Sequence, residues 1–193
     1  MKQIETTGEV FQSLDEINDI LTKQNFKIIR KSRIEDKYMS QFVNQLNSDN
    51  IISILEKSVL LRKLILDGKE INKITYKDKK YDNGILLYEE KTSVSIDSIE
   101  DAENLFLKLD FKNLVNVNYN CTVYSNDNME LAFQDVENLG MLVEYESKED
   151  FDGKSSEEIN KKKLEMFEEI RNLGLIVGNK DIRKANELIL KSL

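Results

Sequence analysis

A gapless internal repeat is the feature that most constrains the fold of this 193-residue chain. Residues 13–27 (SLDEINDILTKQNFK) and 98–112 (SIEDAENLFLKLDFK) both place apolar residues at helical spacing and end in Phe-Lys before a strand-like run. Each copy begins with a serine followed three residues later by an acid, a capping box that is exact with Glu16 and approximate with Asp101. The repeat predicts a structural duplication in which each half has a helix leading into a strand.

Strand patterns around the two repeated helices predict an α+β fold with about eight strands. The predicted strands cover residues 2–10, 26–38, 59–66, 70–78, 84–96, 113–124, 129–136 and 140–147. Asp67-Gly68 is a typical hairpin turn, so most neighbouring strands are expected to be antiparallel. The segment 40–57 is ambiguous, and C-terminal helices are predicted from about residue 155, where Ser155 begins a second capping box. A chain of this length buries one sizeable core, which predicts a single domain over residues 1–193.

Charged residues alternate with apolar ones along two of the predicted strands. Thr75 and Lys77 share one face of a strand, and Glu144 and Glu146 share one face of another. Helices outside such a sheet, with charged residues pointing inward, indicate a polar interior like that of a barrel that holds a ligand. Alternation alone fits a sheet whose polar face meets water at least as well.

The absence of histidine and the single cysteine exclude several kinds of site. Ser-His-Asp and Cys-His catalysis and cysteine-rich zinc sites need residues that the chain lacks. A bound metal would have oxygen ligands, which favours Mg²⁺, Mn²⁺ or Ca²⁺. The formal net charge of −8 argues against binding nucleic acid through a general basic surface, but it allows a local basic pocket. Neither a signal peptide nor a membrane-spanning stretch is evident, so a cytoplasmic location without membrane contact is expected.

Several short motifs, taken in order, resemble those of the CYTH family, which comprises class IV adenylyl cyclases, thiamine triphosphatases and inorganic triphosphatases. The resemblance covers most of residues 1–175, and its most specific part is QDVENLGMLVEYE at 134–146, similar to the family's Asp-Val, Leu-Gly and Glu-x-Glu ending. IEDKYM at 34–39 and ITYK at 74–77 are similar to its Asp-x-Tyr and Thr-x-Lys strands. The resemblance implies a closed or nearly closed antiparallel eight-stranded β-barrel, or tunnel, with helices packed outside. The two similar halves of such a tunnel agree with the internal repeat.

The resemblance also implies a triphosphate site inside the barrel, built from basic side chains and from carboxylates that hold one or two divalent cations. Carried over position by position, the phosphate-binding residues are Arg62 and Lys77. The metal-binding residues are Glu5, Glu89, Glu144 and Glu146, with Mg²⁺ or Mn²⁺ as the cofactor.

Neutral residues occupy other positions at which the family has charges. They include Gln3, Thr7, Leu64, Leu87 and Gln134, and the family's basic strand after the second helix becomes VNVNYNCTVY at 115–124. Each lost charge-assisted hydrogen bond removes roughly 1.5–3 kcal/mol, which weakens the binding of a triphosphate. Lys91, Arg33 or Lys31 could supply some of the missing charge.

Two classes of function therefore stay open, together with a structural one. The first is an enzyme with a partly degraded site, a triphosphatase or a class IV adenylyl cyclase-like protein, whose partner is a small-molecule polyphosphate or nucleotide. The second is a non-catalytic binding or regulatory protein for a less charged ligand, which Asn118, Asn120, Gln3, Thr7 and Gln134 would bind through hydrogen bonds. In the third, side chains fill the tunnel and function lies on the surface. The sequence does not decide between hydrolysis and cyclisation.

Overall fold

A single antiparallel sheet of eight strands forms the body of the part of the chain that the structure describes. In this computed structural model, residues 4–82 and 85–193 are described, without the side chains of 80–82 and 85–87. The strands are β1 (Glu5–Glu9), β2 (Lys27–Ser40), β3 (Val59–Leu66), β4 (Lys69–Asp82), β5 (Ile85–Ile96), β6 (Lys112–Ser125), β7 (Glu130–Val136) and β8 (Gly140–Glu146). The helices are α1 (Leu14–Thr22), α2 (Ile51–Glu56), α3 (Ile99–Lys108), α4 (Ser156–Asn172) and α5 (Lys184–Ser192). The α+β class is confirmed.

The two copies of the repeat lie at the centre of the sheet. Its strand order is β1-β8-β7-β6-β2-β3-β4-β5, so β2 and β6, which follow α1 and α3, are hydrogen-bonded neighbours. Each begins a run of four adjacent strands, and β1 completes the second run from the other end of the chain. The predicted helix-to-strand units of both copies are thus confirmed.

Local signals in the sequence fix several element boundaries. Ser155 and Glu158 form the predicted capping box at the start of α4. Asp67 and Gly68 both have positive φ, 50° and 73°, which is the backbone of a tight hairpin turn between β3 and β4. The ambiguous segment 40–57 contains a short 3₁₀ turn, Val43–Gln45, and helix α2.

The barrel is open, so the expectation of a closed or nearly closed barrel is wrong. The sheet curls into a half-barrel whose edge strands, β1 and β5, form no ladder with each other in the described residues. Helix α4 contacts both edges, and an apolar cluster fills the gap that an eighth strand pairing, between β1 and β5, would close. The buried members of this cluster are Ile4, Phe151, Ile159 and Met166, with Tyr88 and Tyr145 packed against them. Side-chain packing therefore replaces backbone hydrogen bonds at this seam.

Helices cover both faces of the curled sheet. On the outer face, Ile17 and Leu21 of α1 belong to an apolar cluster that also includes Phe167 of α4. On the concave face, α5 packs against β6, and α2 packs against α5, β2 and β4. Leu55 of α2 and Ile189 of α5 belong to the largest core cluster. The remaining part of the concave face carries charged side chains. No helix in the described residues is long and apolar enough to span a membrane.

Close contact between β1 and the C-terminal part of the chain depends on a glycine. A Cβ atom on Gly8 would lie 2.4 Å from Val177 Cγ1 and 2.8 Å from Phe167 Cε1. Only the absence of a side chain allows α4 and the segment after it to approach β1 this closely. This approach brings residues 177–186 to the mouth of the concave face.

Candidate functional site

A cavity of about 130 Å³ lies on the concave face between the sheet and the C-terminal segment. Side chains from β1, β2, β3, β4, β5, β6 and β8 line one side, and α2, α4 and the segment 181–186 line the other. This arrangement confirms the predicted polar interior, since the charged face of the sheet meets a partly enclosed space and not bulk water.

Basic side chains outnumber acidic ones around the cavity. Seven are basic, namely Arg62, Lys77, Lys79, Lys91, Lys163, Arg183 and Lys184. Five are acidic, namely Glu5, Asp36, Glu89, Glu144 and Asp181. In a chain whose formal net charge is −8, this is a local excess of positive charge. Such an excess inside a cavity attracts an anion.

Strands β4 and β5 supply a three-membered ion cluster. Lys77 Nζ lies 3.2 Å and Lys91 Nζ 2.8 Å from the same oxygen, Oε1, of Glu89. Burial would raise the pKa of Glu89, but Lys77 and Lys91 lower it to about 2. Burial would likewise lower the pKa of Lys77, whereas Tyr38 and Glu89 raise it above its ordinary value. All three groups are therefore charged at neutral pH.

Lys79 stands two residues beyond Lys77 on β4 and faces the same cavity. Burial and the neighbouring charge of Lys77 lower its pKa to about 8. Its charge is therefore held less firmly near neutral pH than those of Lys77, Lys91 and Lys184, whose pKa values are raised. A bound polyanion would favour the protonated form.

Arg62 on β3 is held by the carboxylate opposite it on β2. Its Nε donates to Asp36 Oδ1 at 2.7 Å and its Nη2 to Asp36 Oδ2 at 2.6 Å, and Asp36 is only 3% exposed. This two-point contact fixes the plane of the guanidinium group. Asp36 accepts hydrogen bonds from Nε and Nη2 of Arg62, so the Nη1 atom of Arg62 can donate to a ligand.

Glu144 on β8 contacts α5 across the cavity. Lys184 Nζ donates to Glu144 Oε2 at 3.0 Å and to Gln134 Oε1 at 2.5 Å, while Gln134 Nε2 donates to Glu144 Oε2 at 3.1 Å. Burial would raise the pKa of Glu144, but Lys184 lowers it to about 2. The ammonium group of Lys184 also lies 5.0 Å from the centre of the Tyr119 ring.

The carboxylates of the cavity suit a divalent cation only in part. No group of three or more Asp, Glu or Cys side chains able to hold a metal occurs within residues 4–82 and 85–193. Glu89 and Glu144 are ion-paired with lysines. At Glu5, burial and the charge of Glu144 raise the pKa, although Lys91 opposes them. Because Mg²⁺ is often bound by one or two carboxylates together with substrate phosphates, Glu5 and Glu144 fit a cation that arrives with a phosphate chain.

Five of the six predicted site residues line this one cavity. They are Arg62, Lys77, Glu5, Glu89 and Glu144. Glu146 is the sixth. It lies opposite Glu5 in the β1–β8 ladder, but it is exposed at the end of β8 and does not line the cavity. Gln3 lies outside the described residues, as does the side chain of Leu87.

The neutral side chains proposed for a less charged ligand are divided by the structure. Thr7 lines the cavity, and Gln134 contacts Glu144. Asn118 and Asn120 do not line it, so their assignment to the interior is wrong. In the β2–β6 ladder Asp36 pairs with Val117 and Ile34 with Tyr119, and directly opposed residues share a face. Val117 and Tyr119 therefore point inward, and Asn118 and Asn120, which alternate with them, point outward.

Some of the other charged residues around the cavity were suggested by the sequence, and others were not. Lys91 lines the cavity as expected, whereas Lys31 and Arg33 do not, and Arg33 pairs with Glu137. Sequence reasoning missed Lys79, although the two-residue period of β4 places it on the same face as Lys77. It also missed Lys163, Asp181, Arg183 and Lys184. These residues come from α4 and the segment after it, whose position depends on tertiary packing and leaves no periodic signal.

Comparisons with known proteins identify the class to which this fold and cavity belong. No family model matches the chain. A protein of Methanocaldococcus jannaschii named "Putative adenylate cyclase" is 31% identical over 157 residues, which cover 80% of this chain and 79% of that protein. The structure of the PH1819 protein from Pyrococcus horikoshii is similar with a TM-score of 0.71 at 22% identity, with 99% of both chains covered. The structure of HpAC1 from Hippeastrum, described as a "putative adenylyl cyclase" with a dominant triphosphatase activity, has a TM-score of 0.58 at 13% identity and covers 100% of this chain and 96% of that one.

The chain belongs to the CYTH family. The match to the M. jannaschii protein extends over four fifths of the chain, and the two solved structures share its fold.

Proposed function

We propose that the cavity binds the phosphate chain of a triphosphate compound. The observation that carries this proposal is the excess of basic side chains around the cavity in a protein of strongly negative net charge. A triphosphate is a compact polyanion, and charge-assisted hydrogen bonds to it are about twice as strong as neutral ones. A nucleotide and inorganic tripolyphosphate share this chemistry.

Individual roles follow from the geometry of the basic residues. Lys77 and Lys91, placed on either side of Glu89, offer ammonium donors from β4 and β5. Arg62, oriented by Asp36, offers the Nη1 side of its guanidinium from β3. Together they would bind phosphates along the concave face, from one edge of the sheet towards its centre.

A divalent cation would be held by Glu5 and Glu144, with Glu89 in the same cavity and close enough to Glu5 for the two charges to interact. When bound with the phosphates, Mg²⁺ or Mn²⁺ would neutralise negative charge that develops on the transferred phosphoryl group. Glu146, which is exposed beside Glu144, would act on such an ion through its charge and not as a ligand. The chain's own part is to bind and orient the phosphates and to exclude water from them.

The proposed reaction is cleavage of a phosphoric anhydride bond in the bound triphosphate. The triphosphatase activity of the Hippeastrum protein and the name of the M. jannaschii protein support the two forms of this reaction, hydrolysis and cyclisation. They are distinguished by product: hydrolysis of ATP by water releases orthophosphate or pyrophosphate, whereas cyclisation releases pyrophosphate together with cyclic AMP. Assays with ATP, thiamine triphosphate and tripolyphosphate would assign the substrate.

A second candidate is a non-catalytic protein that binds the same phosphate chain. It is favoured by the ion pairs of Glu89 and Glu144, because a carboxylate already neutralised by lysine binds a metal ion less well. Release of product in the presence of Mg²⁺ or Mn²⁺ would exclude this candidate. Tight binding without turnover of any of the three substrates would favour it.

The proposal is tested by isothermal titration with tripolyphosphate and with ATP, each with and without Mg²⁺ or Mn²⁺. We expect binding that Lys77→Met weakens by roughly ten-fold or more, since one charge-assisted hydrogen bond is worth about 1.5–3 kcal/mol. Lys161→Met is the matched control, because Lys161 lies on the outside of α4 and its side chain is 79% exposed. The absence of heat with either ligand at millimolar concentration would contradict the proposal.

A further inference from the structure

The two copies of the internal repeat differ in what covers their helices. Ile20 of α1 packs with Leu173 against one apolar cluster, and Gln24, just after α1, donates from Nε2 to Leu173 O at 2.6 Å. The C-terminal end of α4 therefore covers this side of the first copy. The gapless repeat places Leu105 and Leu109 at the equivalent positions of the second copy. They are 55% and 51% exposed, so α3 keeps an apolar surface whose counterpart on α1 is packed.

Helix α3 lies on the outer face of the sheet, away from the cavity. Its Ala102 packs in a cluster with Leu61 of β3, whereas the next residue of that strand, Arg62, lines the cavity on the concave face. On another side of the helix, Glu103 pairs with Lys37 of β2 at 2.5 Å. A partner seated on the exposed side of α3 would therefore leave the concave face unoccupied.

Four residues form a stripe along the exposed side of α3, because residues three and four apart share a helix face. This α3 stripe consists of Asp101, Leu105, Lys108 and Leu109. It has an acid near the start of the helix, a leucine in the middle and a base at the end. Neither Asp101 nor Lys108 forms an ion pair within the part of the chain that the structure describes. Their charges are thus free to pair with another molecule.

The order of these charges is complementary to itself when the helix is reversed. In an antiparallel pair of α3 helices, Asp101 of each copy would face Lys108 of the other, and the two Leu105 side chains would meet in the middle. Such a pair also places the opposite ends of the two helix dipoles next to each other. A parallel pair would instead bring Asp101 to Asp101 and Lys108 to Lys108, which is repulsive.

We propose that the α3 stripe binds the α3 stripe of a second copy of this chain, in an antiparallel pair about a two-fold axis at Leu105. Each contact between Asp101 and Lys108 then occurs twice, as in any interface in which both copies use the same surface. This inference does not rest on the proposed function, because it involves no residue of the cavity.

The length of α3 limits how strong this contact can be. The helix has 10 residues, so the contact is about 15 Å long. One pair of short helices buries less than the roughly 1,200 Å² that stable interfaces bury. We therefore expect a dimer in exchange with the monomer, with a dissociation constant on the order of 10–100 μM.

Sedimentation equilibrium of the full chain from about 5 to about 500 μM measures this dissociation constant. Leu105→Glu should raise it about ten-fold or more, because two carboxylates would replace two leucines at the axis. Leu164→Glu is the matched control, since Leu164 lies on α4 and is 65% exposed. It should leave the dissociation constant within about two-fold of the wild type. A wild-type protein that stays monomeric throughout, or a dimer that Leu105→Glu leaves unchanged, would overturn the proposal.

Two charge variants test the antiparallel arrangement separately from the stability of α3. In Asp101→Lys two lysines face each other across each contact, and in Lys108→Asp two aspartates do, so each variant alone should associate roughly five-fold more weakly. In an equimolar mixture of the two variants every contact joins opposite charges, so the mixture should associate about as tightly as the wild type. The mixture contains the same two altered helices, so this recovery cannot come from a repaired helix. A mixture that associates no better than either variant alone would rule out the antiparallel pair.

Discussion

In two cavity residues, Glu5 and Lys79, the pKa is shifted in the direction that favours the neutral side chain. Burial and Glu144 raise the pKa of Glu5, while burial and Lys77 lower the pKa of Lys79 to about 8. Both shifts disfavour the charged form of the side chain. A bound cation would stabilise the charged form of Glu5, and a bound anion would stabilise that of Lys79. Each residue therefore gives a measurable link between ligand binding and protonation.

Glu5→Gln should stabilise the protein in the absence of metal at pH 7. The unfolded pKa of a glutamate is about 4.5, and the folded value is higher, so the folded state loses stability as pH rises through the folded pKa. The midpoint of thermal unfolding of Glu5→Gln should be higher than that of the wild type at pH 7, and this difference should disappear below pH 4.5.

Added Mg²⁺ with tripolyphosphate should make the wild type more stable than Glu5→Gln. The wild type should gain more stability from the pair of ligands than Glu5→Gln, because Glu5 is a proposed ligand of the cation. Equal stabilisation of both proteins by the metal would show that Glu5 does not contact it.

Lys79 should make the affinity for tripolyphosphate depend on pH in the alkaline range. With a pKa of about 8, its charge is lost as pH rises from 7 to 9. In Lys79→Arg the charge persists, since the pKa of arginine is above about 12. The ratio of the affinity of the variant to that of the wild type should rise by several-fold over this interval, up to about ten-fold.

The ratio removes the ligand's own titration, which is the same for both proteins. At pH 6.5 the two side chains are both charged, so the ratio there provides the baseline. A ratio that stays constant up to pH 9 would show that Lys79 does not contact the phosphates.

At the scale of elements, the duplicated helices differ in how their first turns are closed. Ser13 Oγ accepts from Glu16 N, and Glu16 Oε2 accepts in return from Ser13 N at 2.8 Å. Ser98 Oγ accepts from Asp101 N at 3.1 Å, and α3 has no such return bond in the described residues. The shorter side chain of aspartate explains the difference that the sequence already showed as an exact and an approximate capping box.

Ser13→Ala should therefore destabilise the protein more than Ser98→Ala. The loss of an N-cap serine costs about 1 kcal/mol, and at Ser13 the hydroxyl also donates to Glu16 Oε2 at 2.7 Å. Urea unfolding of the two variants measures the difference, with Ser48→Ala in an exposed loop as the control. A larger cost at Ser98 would contradict the assignment of the complete capping box to α1.

The repeated helix-to-strand units could be predicted because their signals are local. A serine cap, apolar residues at helical spacing and a following strand pattern occur within 15 residues of each other in both copies. The open seam could not be predicted in this way. It depends on β1 being only five residues long and on the packing of α4 against Ile4 and Tyr145, which are distant in sequence.

At the scale of the whole molecule, the sheet half of the cavity was predictable and the helical half was not. Lys77, Glu89 and Glu144 lie on strands, where a two-residue period and the family's motifs fix the inward face. Lys163 and Lys184 reach the cavity only because Gly8 allows the C-terminal part of the chain to pack against β1. A single sequence contains no signal for that approach.

The proposed phosphate-binding function rests on the family membership and on the excess of basic side chains around the cavity. The half-barrel of this CYTH-family chain has basic residues on β3, β4 and β5 around its cavity, and others come from its C-terminal helices and the segment between them. The cytoplasmic location expected from the sequence stays a prediction. The central claim is that the concave face, and no other surface, binds phosphate.

The most direct measurement of that claim is a crystal structure of the protein with tripolyphosphate and Mg²⁺. We predict phosphate density in the cavity, with oxygens within hydrogen-bonding distance of Lys77 Nζ and of the Nη1 atom of Arg62. Phosphate bound only on the outer surface, with Lys77 and Lys91 still paired to Glu89 in an empty cavity, would contradict it.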